Sequence, residues 1–216
     1  MKQNIGIIGT GVVGKALAMG FLRHGHAVMM GSRSKDKLEA ILEEVGRPLA
    51  TGTFAEAGTF GEIVVLAVKG AVAREALELT GVDRVAGKLV IDTTNPIADA
   101  PPISGVLQFF TGPNESLMER LQDAAPQAHL VKAWNSVGSA LMVNPTFPGG
   151  RPTMFICGND SGAKQTVAEL LGQFGWDAED MGTVEAARAL EPLCQLWCLP
   201  GLRENRWSHA FKLLKL

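Results

Sequence analysis

Tyrosine is absent from the 216 residues, and histidine occurs only four times. A mechanism that needs a phenol as its acid is therefore excluded, and imidazole chemistry has few places to sit. The three cysteines, Cys157, Cys194 and Cys198, fit neither a disulfide framework nor a zinc site, and no metal centre is expected. Cys194 and Cys198 stand four apart in an apolar helical pattern, where buried free thiols are the expected state. A reducing, cytoplasmic setting follows. No apolar run reaches the roughly 18 residues of a membrane span, and Met1-Lys2-Gln3 leads so directly into the first strand that no secretory leader is expected. Nor is there an excess of charge. A net −2 gives no reason to expect nucleic acid or an anionic membrane as partner.

What is present is an apolar chain, 46% hydrophobic against 19% charged, long enough for one domain with a modest appendage. It is organised around Asn4 to Arg33. Ile5 to Ile8 is a short β-branched run suited to a buried parallel strand. Gly9-x-Gly11-x-x-Gly14 follows at once and opens a helical pattern carrying Val13, Leu17 and Phe21 on one face. That order of strand, glycine turn and helix is the context of a dinucleotide fingerprint. Gly9 permits the tight turn, Gly11 lets a pyrophosphate approach the backbone, and Gly14 lets the helix pack close to the strand. The pyrophosphate would rest on the free N–H groups of the helix N-terminus.

A second strand, Ala27 to Met30, ends at Gly31-Ser32-Arg33. NAD-binding domains place Asp or Glu here to bond the ribose hydroxyls. This chain has a hydroxyl in Ser32, a guanidinium in Arg33 and an ammonium in Lys37, one turn into the next helix. That trio attracts a 2′-phosphate, and the reading is NADP(H) over NAD(H).

Further along, Leu38, Ile41, Leu42 and Val45 mark a second helix that Gly46 would end. A weak strand near Leu49-Ala50 and a short helix from Phe54 to Ala57 precede a buried strand, Glu62 to Val68, whose loop Lys69-Gly70 would lie at the sheet's carboxyl edge. A helix over Val72–Leu79 leads to a strand, Lys88 to Asp92, which opens onto Thr93-Thr94-Asn95-Pro96. Pro96 should hold Asn95 extended. Its amide would then either reach a nicotinamide or bond its own backbone as a turn asparagine. Residues 98–113 form a long proline-containing loop with Phe109-Phe110 in its middle, either to cover a flat ring or to staple the loop to the core. Asn114 is read as capping a helix over Glu115–Ala124. The strand His129–Lys132 delivers Trp134, Asn135 and Ser136 to the same edge, so three loops should converge on one crevice. A strand Thr153–Gly158, a helix Gly162–Phe174 and an edge strand Trp176–Met181 follow. Beyond them an apolar helix (Val184, Ala187, Leu190, Leu193, Cys194, Trp197) is kinked or ended by Pro192, with Glu185 and Arg188 spaced to pair. Trp207 and Phe211 belong to a short last helix. These helices would bury against a second subunit, giving a homodimer, or against their own sheet. His24, His26, His129 and His209 are read as structural.

The expected fold is α/β: a Rossmann-type, doubly wound, mostly parallel sheet with a small C-terminal helical lobe. Residues 1–150 would form the nucleotide-binding domain and 151–216 an extension of edge strands and helices. Gly9-Thr-Gly-Val-Val-Gly-Lys15, Gly31-Ser-Arg33 with Lys37, Val65-Leu-Ala-Val68-Lys69, Asp92-Thr-Thr-Asn-Pro96 and Lys132-Ala-Trp-Asn135 together resemble the NADP-dependent oxidoreductases typified by the reductase of the deazaflavin coenzyme F420. The reductase domain of the membrane ferric reductases is similar. The resemblance implies hydride transfer between NADP(H) and a flavin-like or deazaflavin ring. It implies Gly9, Thr10, Gly11, Val12, Val13 and Gly14 along the phosphates and nicotinamide, and Ser32, Arg33 and Lys37 on the 2′-phosphate. Ala67 and Val68 would lie by the adenosine side, with Pro96 beside Asn95, and Asn95, Trp134 and Asn135 would line the crevice. Pro101–Gly112 and the tail Trp197–Trp207 match no part of that pattern. A branch that keeps NADP(H) but reduces a flavin, quinone or metal chelate is the alternative acceptor reading. Ring-to-ring hydride transfer needs positioning more than proton transfer, which agrees with the shortage of acid–base residues. A ketone or imine reductase would need His209 as its donor. A redox sensor that binds NADP(H) without turnover is the non-enzymatic reading.

Overall fold

A computed structural model describes residues 2–45 and 48–216; Gly46, expected to end the second helix, lies outside them. The sheet has eight strands in the order β3-β2-β1-β4-β5-β6-β7-β8. They are β1 (Asn4–Ile8), β2 (Ala27–Gly31), β3 (Ala50–Gly52), β4 (Ile63–Leu66), β5 (Leu89–Asp92), β6 (His129–Lys132), β7 (Thr153–Gly158) and β8 (Asp177–Asp180). All neighbouring pairs are parallel except β6 with β7. From β1 the chain winds outward to β3, returns to β4, and winds the other way. The carboxyl ends of β1 and β4 therefore flank the switch point at which such sheets bind ligands.

The central strands β1, β4 and β5 are almost wholly apolar because both faces are covered, whereas the edge strand β8 (Asp177–Asp180) is largely polar. Ile5, Ile7, Ile63, Val65 and Val131 face a core shared with Leu17, Phe21, Trp134, Phe174 and Trp176. Ile8, Val64, Leu66 and Leu130 face the opposite one, with Leu77, Met118 and Leu121. The helices supplying these faces are α1 (Val12–Arg23), α2 (Lys35–Val45), α3 (Phe54–Phe60), α4 (Ala73–Thr80), α5 (Val82–Val85), α6 (Leu117–Ala124), α7 (Ser161–Gln173), α8 (Ala187–Leu190) and α9 (Pro192–Glu204). Short α5 and a tight 3-10 turn at Gly70–Val72 were not anticipated; that turn moves the start of α4 to Ala73.

Three local expectations are corrected. The cap of α6 is Ser116, whose Oγ accepts from the Glu119 N–H at 3.1 Å, and not Asn114. Residues 112–115 close a turn of their own, with the Gly112 N–H on the Glu115 carboxylate, so the helix begins at Leu117. Glu185 and Arg188 do not pair. A 3-10 turn over Val184–Ala186 breaks the helical spacing, Glu185 accepts from Thr183 Oγ1, and Arg188 grips Glu119 through Nε and Nη2. Nor is there a last helix. Asn205 takes the left-handed conformation (φ 53°) that ends α9. The chain then runs extended beside β7, with Thr153 N–H donating to the Phe211 carbonyl and Leu213 N–H to Thr153 Oγ1.

Pro192 opens α9 at its first turn. The lobe packs on its own sheet: Ala187 and Leu190 join one core and Trp197 the other. The 98–113 loop is anchored to it, Gln195 donating to the Leu107 carbonyl at 2.7 Å. Phe109 bridges to Ile97 and Phe110 carries Arg120 over its ring. The aromatic pair is a staple.

Candidate functional site

Two cavities open at the carboxyl edge of the sheet. The first, about 610 Å³, is lined by Gly9, Thr10, Gly11, Ser32, Arg33, Ser34, Lys37, Phe54, Ala67, Val68, Lys69 and Val72. The second, about 440 Å³, is lined by Val12, Val13, Thr93, Asn95, Trp134, Asn135, Val137–Met142, Cys194, Trp197, Cys198 and Trp207. Gly11 belongs to one and its neighbour Val12 to the other. Gly14 and Pro96 line neither.

The glycines divide their work as the fingerprint requires. Gly9 has φ 120°, and a Cβ there would stand 2.3 Å from the Ala67 carbonyl oxygen. A Cβ on Gly14 would stand 2.5 Å from the Gly9 carbonyl oxygen. At Gly11 a Cβ would meet nothing within 4 Å, because that position faces the cavity. The first turn of α1 has no side-chain cap and no acid, so its N–H groups remain for an anion.

At the outer end Arg33 Nη1 lies 2.8 Å from Glu75 on α4, both well exposed. Such a pair contributes about 0–1 kcal/mol and gives way readily to a stronger anion. Ser32 is nearly buried and its Oγ accepts from the Ser34 N–H. Val68 and Lys69 bring the loop after β4 to this cavity, so two loops, not three, meet at the crevice.

Those two loops are locked together. Asn95 Nδ2 donates to the Asn135 carbonyl at 2.7 Å, and Asn135 Nδ2 donates to Asn95 Oδ1 at 3.1 Å and to the Leu190 carbonyl at 2.9 Å. The Asn95 amide is thus neither free nor bonded to its own backbone. The Leu190 carbonyl can only accept, which fixes the Asn135 amide and leaves its buried Oδ1 without a donor. Trp134 has φ 55°, a left-handed backbone that is an outlier for a large side chain. It is held there by Nε1 donating to the Met142 carbonyl, which Trp176 also reaches, and by contact with Phe174 and Phe21. Trp197 covers Gly138, where a Cβ would touch its ring at 2.5 Å.

Sequence reasoning missed two groups of site residues. One is the far wall: Cys194, Trp197, Cys198 and Trp207 reach the crevice only because α9 folds back over it. The hydrogen bond between the two thiols lowers Cys198 and raises Cys194, whose burial adds to the rise. Burial pushes Cys157 up to about 12. Iodoacetamide should therefore alkylate Cys198 well before Cys157, and peptide mass mapping over time reads the order; Cys157 modified first would contradict this arrangement. The other is a buried ion cluster. Lys132 Nζ lies 2.6 Å from Asp92 and 2.9 Å from Glu191, with no side chain more than 2% exposed. The available signal was a charge ending each of two apolar strands: Asp92 and Lys132 are in register across β5 and β6.

Among the described residues no helix is long and apolar enough to cross a membrane, and no group of three or more His, Cys, Asp or Glu is placed to hold a metal.

The eight-stranded, mostly parallel sheet with helices on both faces defines the class of fold, a Rossmann-type domain. Residues 4–96 match the family model described as NADP oxidoreductase coenzyme F420-dependent. The chain is 31% identical over 204 residues to Metalloreductase STEAP3 of Rattus norvegicus, covering 92% of this chain and 38% of that protein. It is 27% identical over 193 residues to the human Metalloreductase STEAP2, covering 89% and 36%. The chain thus spans well under half the length of these curated relatives. A solved structure from Arthrobacter sp. FB24, described as a candidate F420-dependent NADP-reductase, superposes with TM-score 0.90 at 29% identity over the full length of both chains.

Proposed function

We propose that the chain is an NADP(H)-dependent reductase that passes hydride from the nicotinamide to a flat, flavin-like acceptor held in the 440 Å³ crevice. The observation that carries this reading is the junction at Gly11 and Val12, where one uncapped helix start opens into both cavities. A dinucleotide laid across it has its adenosine and 2′-phosphate by Ser32, Arg33 and Lys37. Its pyrophosphate meets Gly11 and the N–H groups of α1, and its nicotinamide lies by Val12, Val13, Asn95 and Trp134. Three features fit such a ligand: the open space at Gly11, the acid-free first turn, and the Asn135 Oδ1 that lacks a donor. The nicotinamide carboxamide carries a suitable N–H. When bound, the cofactor supplies the hydride; the chain's own residues orient the rings and exclude water.

The crevice walls are mostly Trp, Val, Leu, Met and thiol side chains, with Thr93, Asn95, Asn135 and Ser139 as uncharged polar groups and no Lys, Arg, His, Asp or Glu among them. That suits an acceptor recognised by its ring. Coenzyme F420, flavin, quinone and a metal chelate, the last suggested by the name of the longer metalloreductases, are the acceptors to compare. Stopped-flow oxidation of NADPH with each decides the matter, and no oxidation by any of them would sink the proposal while leaving a nucleotide-binding sensor. Free thiols support a reducing, cytoplasmic setting, and the exposed Leu196 and Leu202 of α9 support a homodimer, which light scattering tests.

The ketone or imine reductase reading loses its donor. His209 stacks behind Trp197, and its Nε2 meets the Trp197 carbonyl at 2.8 Å. It lines no part of the crevice, and His209→Asn should leave turnover within about twofold.

Arg33→Ala should weaken NADPH about tenfold or more and leave NADH nearly unchanged, since one charge-assisted bond of about 1.5–3 kcal/mol is lost only with the 2′-phosphate. Equal losses in titrations of the two cofactors would refute the phosphate assignment.

A further inference from the structure

Hydride transfer from a nicotinamide leaves a positive charge on the ring, and the buried cluster behind the crevice has the opposite sign. Asp92 ends β5, one residue before Thr93 and three before Asn95; Lys132 ends β6, two residues before Trp134. Thr93, Asn95 and Trp134 all line the crevice. The Asp92 carboxylate accepts from the Thr94 N–H at 2.9 Å and Thr94 Oγ1 at 2.7 Å. The Glu191 carboxylate accepts from the Leu117 and Met118 N–H groups, both at 3.0 Å, at the start of α6. Lys132 Nζ forms ion pairs with both carboxylates and donates to the Thr94 carbonyl. Each carboxylate thus has donors in place for its ionised form. Burial works against charge on Lys132, but the two carboxylates outweigh it and hold the ammonium above its usual value.

Two carboxylates and one ammonium sum to one negative charge, sealed from water. We infer that the Asp92–Lys132–Glu191 cluster is an electrostatic positioning element that favours the oxidised, positively charged nicotinamide over the neutral reduced one and so biases the site toward hydride donation by NADPH. The inference rests on the nicotinamide occupying the crevice as proposed above. Water would screen such a charge at the surface; in a dry interior it keeps its reach. A purely structural cluster would affect both redox forms of the nucleotide alike.

The test is equilibrium binding. Kd is measured for NADP+, NADPH and 2′,5′-ADP, which has no nicotinamide, in the wild type, Glu191→Gln and Asp92→Asn, with thermal melts to establish folding. Each variant removes one negative charge from a different element. The ratio Kd(NADP+)/Kd(NADPH) should rise on the order of fivefold in either, the size a unit charge produces at an effective dielectric near that of a protein surface. 2′,5′-ADP should bind as in the wild type. An unchanged ratio in a folded variant that still binds 2′,5′-ADP overturns the inference alone. Should neither variant fold, the wild type decides: NADPH bound tenfold or more tightly than NADP+ overturns it. Absence of binding by either dinucleotide overturns the proposed function, and this inference with it.

Discussion

Lys132→Met is expected to lower the melting temperature by on the order of 10 °C. Methionine fills nearly the same volume, so the loss comes from charge and not from a cavity. Asp92 and Glu191 would remain at 0% and 2% side-chain exposure without a counter-ion. Removing one partner of a buried ion pair costs about 3–5 kcal/mol because an uncompensated charge stays inside. The three residues join β5, β6, the start of α6 and the α8–α9 junction, so the effect should appear in global unfolding and not in a local loop. The double variant Lys132→Met/Glu191→Gln should lose less than the sum of the single losses, since neutralising one stranded carboxylate relieves the other. A melting temperature within about 2 °C of wild type for Lys132→Met would show that the carboxylates are not held as charges.

Gly11→Ala separates folding from binding. A Cβ at Gly9 or Gly14 collides with backbone and should unfold the turn, but at Gly11 it enters open space, and the φ of −74° suits alanine. Thermal stability should hold within about 1 °C. NADPH affinity should fall a hundredfold or so, about 2.7 kcal/mol, because the methyl group occupies the place where the pyrophosphate meets the N–H groups of Val12 and Val13. Calorimetric titration beside a melting curve reads both. Near-normal NADPH binding in the folded variant would place the dinucleotide elsewhere and undo the functional assignment. A loss of stability would mean that the open space at Gly11 is needed by the fold itself.

Most of the sheet was legible because its signals are local. An apolar run of four or five residues between turn residues marks a strand covered on both faces, and the run needs no knowledge of what covers it. Helix ends were less legible. Ser116 and Asn114 are both plausible caps in sequence, and the choice rests on Glu119 three residues on, whose N–H donates to Ser116 Oγ and whose carboxylate accepts from that hydroxyl. The spacing of Glu185 and Arg188 was misleading for a related reason. An i, i+3 pair assumes a helix between its members, and a 3-10 turn there turned Arg188 toward Glu119, 69 residues away in sequence.

The cavity proposed for the dinucleotide was the part of the site most legible in the sequence. Its glycine turn, its uncapped helix start and the change from acid to Ser32-Arg33 lie within a single β-α-β unit, where chain connectivity leaves little freedom. Tertiary structure alone decided the crevice and what stands behind it. Asn95 meets Asn135, Lys132 meets Asp92 and Glu191, and Cys194, Trp197 and Trp207 close the far wall. These groups come from strand ends and helices 40 to 100 residues apart. Nothing in the local pattern says which of them will face one another; that follows from the order in which the strands pair and from the apolar face of α9 burying itself back on its own sheet.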